Sequence, residues 1–355
     1  MVITEFLERN ARLYGSDTAL VELNPSQERD SAVTWREASL IESAAEGAPY
    51  RREMSWADFD RRANRFANLL LSRGLEREAK VGILMMNCLE WLPVYFGILK
   101  AGGVAVPLNF RYSAEEIKYC LELADVEVLV FGPEFIDRMD MIVEELPGVR
   151  MMFFPGKDKP SYAEDFLKLT GFCSSSAPPV ALEETDYAAI YFSSGTTGFP
   201  KAILHNHLSL RSSCETEQNH HGQTREDVFL CIPPLYHTGA KMHWFGSLIS
   251  AGKAVLLRGV KPEWILRAVT EEKCTIVWLL ALGTGSSGCH RFRQGRDGTL
   301  SAGAVAPDAY RCTAGSAESD PALEEAFPAS SVRHQLWIER VHRPRLCASG
   351  RGEYT

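Results

Sequence analysis

Apolar residues recur at helical spacing from Ile3 to Tyr14, and a longer stripe follows at Trp56, Phe59, Ala63, Phe66, Ala67 and Leu70. The second stripe predicts a helix with Ser55 as N-cap, running to about Arg73 and stopped by Gly74. Next, the unbroken apolar run Lys80 to Met86 predicts a strand buried on both faces, followed by a helix from about Cys88 to Ala101. A strand-like run spans Gly103 to Leu108. A helix after Ser113, with Glu115 and Glu116 in its first turn, reaches about Ala124, and Val126 to Phe131 reads as another buried strand. Strand and helix alternating at this spacing predict βαβ units, a mostly parallel sheet and an α/β fold.

Two stretches break the pattern. Asn24 to Arg52 is polar and rich in Ser, Glu and Ala, and is expected to form a surface insertion or loop. Pro155 to Pro179 is expected to connect two subdomains. The pattern resumes with a strand at Tyr187 to Phe192, a helix around His207 to Ser213 and a strand at Asp227 to Ile232. A helix near Lys241 to Ser250, a strand at Ala254 to Leu257, a helix at Pro262 to Glu272 and a strand at Thr275 to Leu280 complete it. From Ala281 to Thr355 the chain is dense in Gly, Ser, Ala and Arg, and sustained apolar periodicity is lost.

Composition narrows the class. The 355 residues are 45% hydrophobic and 24% charged, which is ordinary for a globular chain. A net charge of -8 argues against a broad nucleic-acid-binding surface, though not against a nucleotide, which needs only local donors. The nine cysteines include no C-x-x-C and read as reduced thiols of a cytoplasmic protein. Met1 to Leu13 carries Glu5, Glu8, Arg9 and Arg12 and has no apolar signal core. The most apolar stretch, Val81 to Phe110, is interrupted by Asn87, Glu90, Lys100, Gly102, Gly103 and Pro107, so no membrane span is expected.

Chemistry concentrates directly after the strand at Tyr187 to Phe192, in Ser193-Ser194-Gly195-Thr196-Thr197-Gly198-Phe199-Pro200-Lys201. The hydroxyls of Ser193, Ser194, Thr196 and Thr197 can donate to phosphate oxygens. Gly195 and Gly198 let backbone N–H groups approach an anion closely. Lys201 adds a point charge suited to a departing pyrophosphate, which makes it the candidate catalytic residue. The nucleotide-hydrolase pattern G-x-x-x-x-G-K-[ST] is not met, because Lys201 follows Pro200 and precedes Ala202.

This loop resembles the signature [ST]-S-G-T-T-G-x-P-K of the AMP-forming superfamily, which includes acyl-CoA synthetases, peptide-synthetase adenylation domains and luciferases. It matches at every fixed position. Ala202 stands where that family more often has Gly. Met54 to Phe59, Ala63-Asn64 and Ala101 to Asn109 are similar to the family's first blocks. Pro233-Pro234-Leu235-Tyr236-His237-Thr238-Gly239 resembles the block that shapes its acyl and adenylate pocket. The resemblance implies a large adenylate-forming domain. Its loop would bind ATP phosphates through Ser193, Ser194, Gly195, Thr196, Thr197, Gly198 and Lys201. Tyr236, His237, Thr238, Gly239 and Trp244 would lie in the acyl and adenylate pocket. It further implies a carboxylate–CoA ligase acting on a fatty-acid-like substrate, with ATP, Mg2+ and CoA. An adenylation domain that loads a carrier protein, and an inactive nucleotide-binding fragment, are the alternatives. His205, His207, His220 and His221 show no metal-site spacing and read as structural or surface residues.

The resemblance covers about residues 50 to 280, so residues 1–280 are expected to form a partial N-terminal domain and 281–355 an aberrant, poorly ordered tail. The family's Tyr-Gly-x-[ST]-Glu block, its ribose-binding Asp and its small C-terminal domain have no counterpart. Back-translation with free codon choice, read one nucleotide later, offers a reason. Val305 to Pro328 can then encode Trp-Arg-Leu-Met-His-Ile-Gly-Ala-Gln-Pro-Val-Pro-Pro-Ser-Leu and a basic stretch. Ser331 to Arg340 can encode Gln-Tyr-Asp-Thr-Asn-Tyr-Gly-Leu-Ser-Glu, and the single Trp337 codon forces its Gly. These strings look like the next two family blocks in order, which points to a frameshift near Ala281.

Overall fold

The computed structural model describes residues 1–24, 50–156, 158–193, 200–258, 262–277, 290–294 and 300–304. In chain order the elements open with α1 (Ile3–Leu13), β1 (Thr18–Leu23), β2 (Arg51–Ser55), α2 (Trp56–Ser72) and β3 (Lys80–Leu84). They continue with α3 (Trp91–Lys100), β4 (Val104–Pro107), α4 (Ala114–Leu123), β5 (Val126–Phe131), α5 (Ile136–Ile142) and β6 (Met151–Phe154). Then come β7 (Glu164–Asp165), α6 (Phe166–Phe172), β8 (Tyr187–Ser193), β9 (Lys201–Asn206), α7 (His207–His221) and β10 (Val228–Cys231). The last are α8 (Thr238–Ser250), β11 (Lys253–Leu257), α9 (Pro262–Glu272), β12 (Ile276–Val277), β13 (His290–Gln294) and β14 (Leu300–Ala304).

Among the described residues the strands form a seven-stranded sheet ordered β7-β6-β5-β3-β4-β8-β9 and a five-stranded sheet ordered β12-β10-β11-β1-β2. Every pairing in the larger sheet is parallel except β8–β9, and every pairing in the smaller is parallel except β1–β2. The expected α/β architecture of mostly parallel sheets is therefore present. Its cause is legible at β3 to β5, whose apolar runs can be buried on both faces only where helices cover the sheet.

The helices follow their sequence signals. Ser55 caps α2 by accepting the Asp58 N–H at 3.1 Å. Trp56, Phe59, Ala63, Phe66, Ala67 and Leu70 are all buried, and Gly74 ends the segment at φ +74°. At the start of α4, Ser113 and Glu116 form a reciprocal capping box. The α2–α3 packing is close at Gly97, where an added Cβ would lie 2.9 Å from both the Ala63 carbonyl oxygen and Phe66.

Three expectations need correction. The polar stretch expected to be a loop ends in strand β2, and Tyr50 and Arg52 within it are buried; residues 25–49 lie outside the described residues. The expected connection at 155–179 contains β7 and α6. Phe166 of α6 packs against Phe66 at 5.1 Å between ring centroids, while Asn64 and Asn68 of α2 hold the backbone carbonyls of Ser174, Ser175 and Ser176. Finally, where the sequence offered no strand between Phe192 and the helix around His207, β9 begins at Lys201 and pairs back onto β8. Of the segment 281–355, β13 and β14 are described; they form an antiparallel hairpin, with β14 beside α9.

The two sheets meet across a buried charge cluster. Arg52 on β2 bonds Glu22 on β1 and also reaches Glu90, just before α3, at 2.8 and 3.0 Å. All three side chains are at most 5% exposed. Glu22 also accepts the Leu89 N–H at 2.8 Å, and Arg258 at the end of β11 pairs with Glu134 at 2.6 Å. Burial pushes the Glu22 carboxyl above its ordinary range, against the pull of Arg52. Burial acts the same way on Glu90, but the charge and hydrogen bonds of Arg52 outweigh it and hold that carboxyl low. Removing the guanidinium takes from Glu90 its hydrogen-bonded cation and leaves Glu22 facing Arg258 at 3.7 Å. Arg52→Met is expected to cost about 3–5 kcal/mol in urea unfolding, and adding Glu22→Gln with Glu90→Gln should recover most of it. Equal loss in the single and triple variants would show that packing, not charge, carries the cost.

Candidate active site

In open α/β sheets the crevice for ligands lies beyond the carboxyl ends of the parallel strands, where the connecting loops leave the sheet. Here β8 delivers Ser193 to that end, and the chain returns as β9 with Lys201 opposite Ser193 in register. Ser194, Gly195, Thr196, Thr197, Gly198 and Phe199 lie outside the described residues. Ser193 is half-buried, Pro200 buried and Lys201 exposed. The position of the loop follows from sheet order: β8 lies beside β4, with Ala189 paired to Ala105, so the loop leaves the sheet next to the turn after Pro107.

A second turn closes on this end from the smaller sheet. After β10, Pro233 to Thr238 lead into α8, and the His237 N–H donates to the Pro234 carbonyl at 2.9 Å. The turn is held by Asn87, whose amide donates to the Pro233 carbonyl at 3.0 Å and accepts the Leu235 N–H at 2.8 Å. Asn87 follows β3, so a single buried side chain satisfies both backbone groups and ties the loops of the two sheets together. Tyr236 meets Phe110, from the turn after β4, edge to face at 5.3 Å and 88°. Burial raises the Tyr236 phenol, opposed by the nearby charge of Arg111. His237 and Thr238 are exposed, and Gly239 lies in the first turn of α8.

Trp244 is placed otherwise than expected for a pocket residue. It is 1% exposed and packs against Phe59, Phe96 and Phe245 at 5.9, 5.5 and 5.4 Å. With Trp91, Tyr95, Tyr191 and Leu235 it encloses a cavity of about 10 Å³, room for one water at most. The Tyr95 and Tyr191 hydroxyls meet at 3.1 Å inside this cluster. Asn87 was not expected in any functional role. A polar residue directly after a buried apolar strand was the signal that could have found it.

None of the described cysteines Cys88, Cys120, Cys173, Cys214, Cys231 and Cys274 is in a disulfide, and burial raises Cys88, Cys120, Cys231 and Cys274 far from a reactive thiolate. His205 packs on the Tyr191 ring, and the side chains of His220 and His221 lie outside the description. Among the described residues no group of three His, Cys, Asp or Glu side chains could hold a metal ion, and no helix is long and apolar enough to cross a membrane.

Residues 7–281 match the family model described as AMP-binding enzyme. The chain belongs to that family. Among curated relatives it is 25% identical over 272 residues to a medium/long-chain-fatty-acid–CoA/3-oxocholest-4-en-26-oate–CoA ligase of Mycolicibacterium smegmatis, covering 68% of this chain and 48% of the relative. It is 28% identical over 218 residues to 4-hydroxybutyrate–CoA ligase 2 of Metallosphaera sedula, covering 59% of this chain and 40% of that one. The inhibitor-bound N-terminal domain of FACL13 from Mycobacterium tuberculosis superposes with a TM-score of 0.66 at 22% identity, over 79% of this chain and 63% of that one. The AMP-binding chain thus has the fold of an acyl-CoA ligase N-terminal domain, and spans about half the length of the curated relatives it matches.

One buried histidine beside the hairpin sets a pH limit on this AMP-binding fold. His207, at the start of α7, is 1% exposed, and its Nδ1 has no hydrogen-bond partner among the described residues. Burial lowers its pKa to about 4, opposed by Asp186. The unfolded chain protonates near the ordinary value of about 6.5, so it binds more protons than the folded chain between the two values. Stability should be insensitive to His207 above pH 6.5, fall as pH drops through that window and level off below pH 4, by up to about 3 kcal/mol. In urea titrations across this range, His207→Gln should remove that part of the slope; an unchanged slope would assign it elsewhere.

Proposed function

We propose that this chain is the N-terminal half of an AMP-forming carboxylate–CoA ligase. The observation that carries the reading is the β8–β9 hairpin, which sets Ser193 and Lys201 in register at the mouth of the phosphate-loop segment. In the first step a carboxylate oxygen attacks the α-phosphorus of ATP, forming the acyl-adenylate as the bond to pyrophosphate breaks. In the second, the thiol of CoA gives up its proton, its sulfur attacks the acyl carbon, and AMP leaves. The barrier to the first step is charge building on the departing pyrophosphate. The loop's hydroxyls and backbone N–H groups, with Lys201, would meet that charge without reorganising. Tyr236, His237, Thr238 and Gly239 would flank the acyl-adenylate, and an apolar acid, fatty or aromatic, suits the aromatic surroundings of Tyr236. Magnesium is expected to arrive with ATP, and its carboxylate ligand is assigned to the downstream half.

Because the chain spans about half of its curated relatives, nucleotide binding without turnover is the second reading. ATP–pyrophosphate exchange with a panel of carboxylic acids separates the two. Acid-dependent exchange supports the ligase, whereas ATP binding by calorimetry with no exchange supports the fragment. Where exchange is seen, Lys201→Ala should lower it about 10²–10³-fold. The thermal midpoint should stay put, because Lys201 is exposed.

We further propose that residues after Ala281 are read out of frame. The end of the family match at residue 281 supports this. Resequencing the coding DNA is the check: codons for Ser331 to Arg340 should give Gln-Tyr-Asp-Thr-Asn-Tyr-Gly-Leu-Ser-Glu one nucleotide on, and any other product rejects the frameshift.

A further inference from the structure

The connection between β3 and α3, Met85 to Glu90, is six residues long and grips the smaller sheet at three points. The Leu89 N–H donates to Glu22 on β1, and Glu90 accepts from Arg52 on β2. The third point is the Asn87 amide, which holds Pro233 and Leu235 beyond the end of β10. Met85, Asn87, Cys88, Leu89 and Glu90 are all buried, so packing fixes the connection itself.

The turn that Asn87 holds needs a partner from outside. Pro233 and Pro234 have no N–H and cannot donate to a neighbouring strand. Besides Asn87, the Cys231 thiol reaches the Pro233 carbonyl at 3.6 Å, and a thiol is a weak donor. Two hydrogen bonds from one amide to groups two residues apart fix both the position and the direction of the turn. Tyr236 follows directly, with its ring against Phe110 at 5.3 Å. Phe110 lies in the turn after β4. That strand sits between β3 and β8, and β8 ends at Ser193. A side chain delivered by the smaller sheet is thus aligned by two adjacent turns of the larger one, beside the strand that leads to Ser193.

We propose that Asn87 is a positioning residue for the acid: through Pro233 and Leu235 it sets the bearing of Tyr236 and His237 along the acyl group of a bound acyl-adenylate. The role rests on the ligase reading above and deepens it. Asn87 touches no substrate and acts through the turn. Its influence falls on the acyl half of the ligand, because the ligase reading gives that half to Tyr236 and His237 and the phosphates to the strand end at Ser193 and Lys201.

Calorimetry on the full 355-residue chain tests this with AMP and with two stable acyl-adenylate stand-ins, 5′-O-(N-acylsulfamoyl)adenosines carrying decanoyl and benzoyl groups. The tighter binding of a stand-in relative to AMP reads the acyl contribution. Asn87→Asp keeps the size and the acceptor for Leu235 but turns a carboxylate oxygen on the Pro233 carbonyl. It should cut that advantage about tenfold or more and leave AMP affinity within about twofold. Asn87→Ser, too short to make either bond, should do the same. Asn10→Ala is the structural control. Asn10 is buried and donates to the Leu248 carbonyl at 2.7 Å, so its loss should lower the thermal midpoint and leave the acyl advantage intact. An unchanged advantage in both Asn87 variants, or equal losses for AMP and the stand-ins, overturns the positioning role alone. Failure of both variants to fold makes the amide a determinant of folding and overturns the role too. An intact chain that binds the stand-ins no better than AMP overturns the ligase reading, and this role with it.

Discussion

A guanidinium buried between two carboxylates is a costly object, and this fold places one where its two sheets join. Arg52 comes from the five-stranded sheet and Glu90 from the crossover of the seven-stranded one, with Glu22 closing the set. Glu90 is the member that comes from the larger sheet, so the Arg52–Glu90 hydrogen bonds form only when the sheets are docked in one relation. Burial of apolar surface is indifferent to small slides between layers; a buried ion pair with fixed hydrogen-bond directions is not. The loops that converge on the candidate site leave these same two sheets, so their relative placement follows from the clamp. Asn87 repeats the device on a smaller scale, with a neutral amide in place of charges.

Legibility in the sequence depended on range. The α2 stripe, the Ser55 and Ser113 caps and the runs of β3 to β5 were readable because each is decided within a few residues. The loop at Ser193 to Lys201 was readable for the same reason. By contrast, β1 and β2 hide Glu22 and Arg52 among their apolar positions, and each looks like a surface residue until its partner is known. Their partnership spans 30 residues, beyond any periodic pattern. The segment around β7 and α6 was misjudged because its anchors are Phe166 and backbone carbonyls held by Asn64 and Asn68, contacts with no local signature. Trp244 shows the converse: an aromatic residue near a site motif is first of all a large side chain, and here it fills the core.

Family membership and chemistry separate in this chain. The described parts of the candidate site are the β8–β9 hairpin and the β10–α8 turn, the latter held by the Asn87 amide. They make up one wall of a site, and a wall can hold an anion without driving a reaction.

The pairing of the Tyr95 and Tyr191 hydroxyls carries a further consequence. They meet inside an aromatic cluster with space for little more than a single water. Tyr191 sits two residues before Ser193, on the strand that leads to the candidate site. A sideways shift of that strand would break this bond in a place that solvent can scarcely repair. The strand is therefore moored in depth while its end stands at the surface, so any change of shape around Ser193 and Lys201 would fall to the turns, leaving the sheet beneath them fixed.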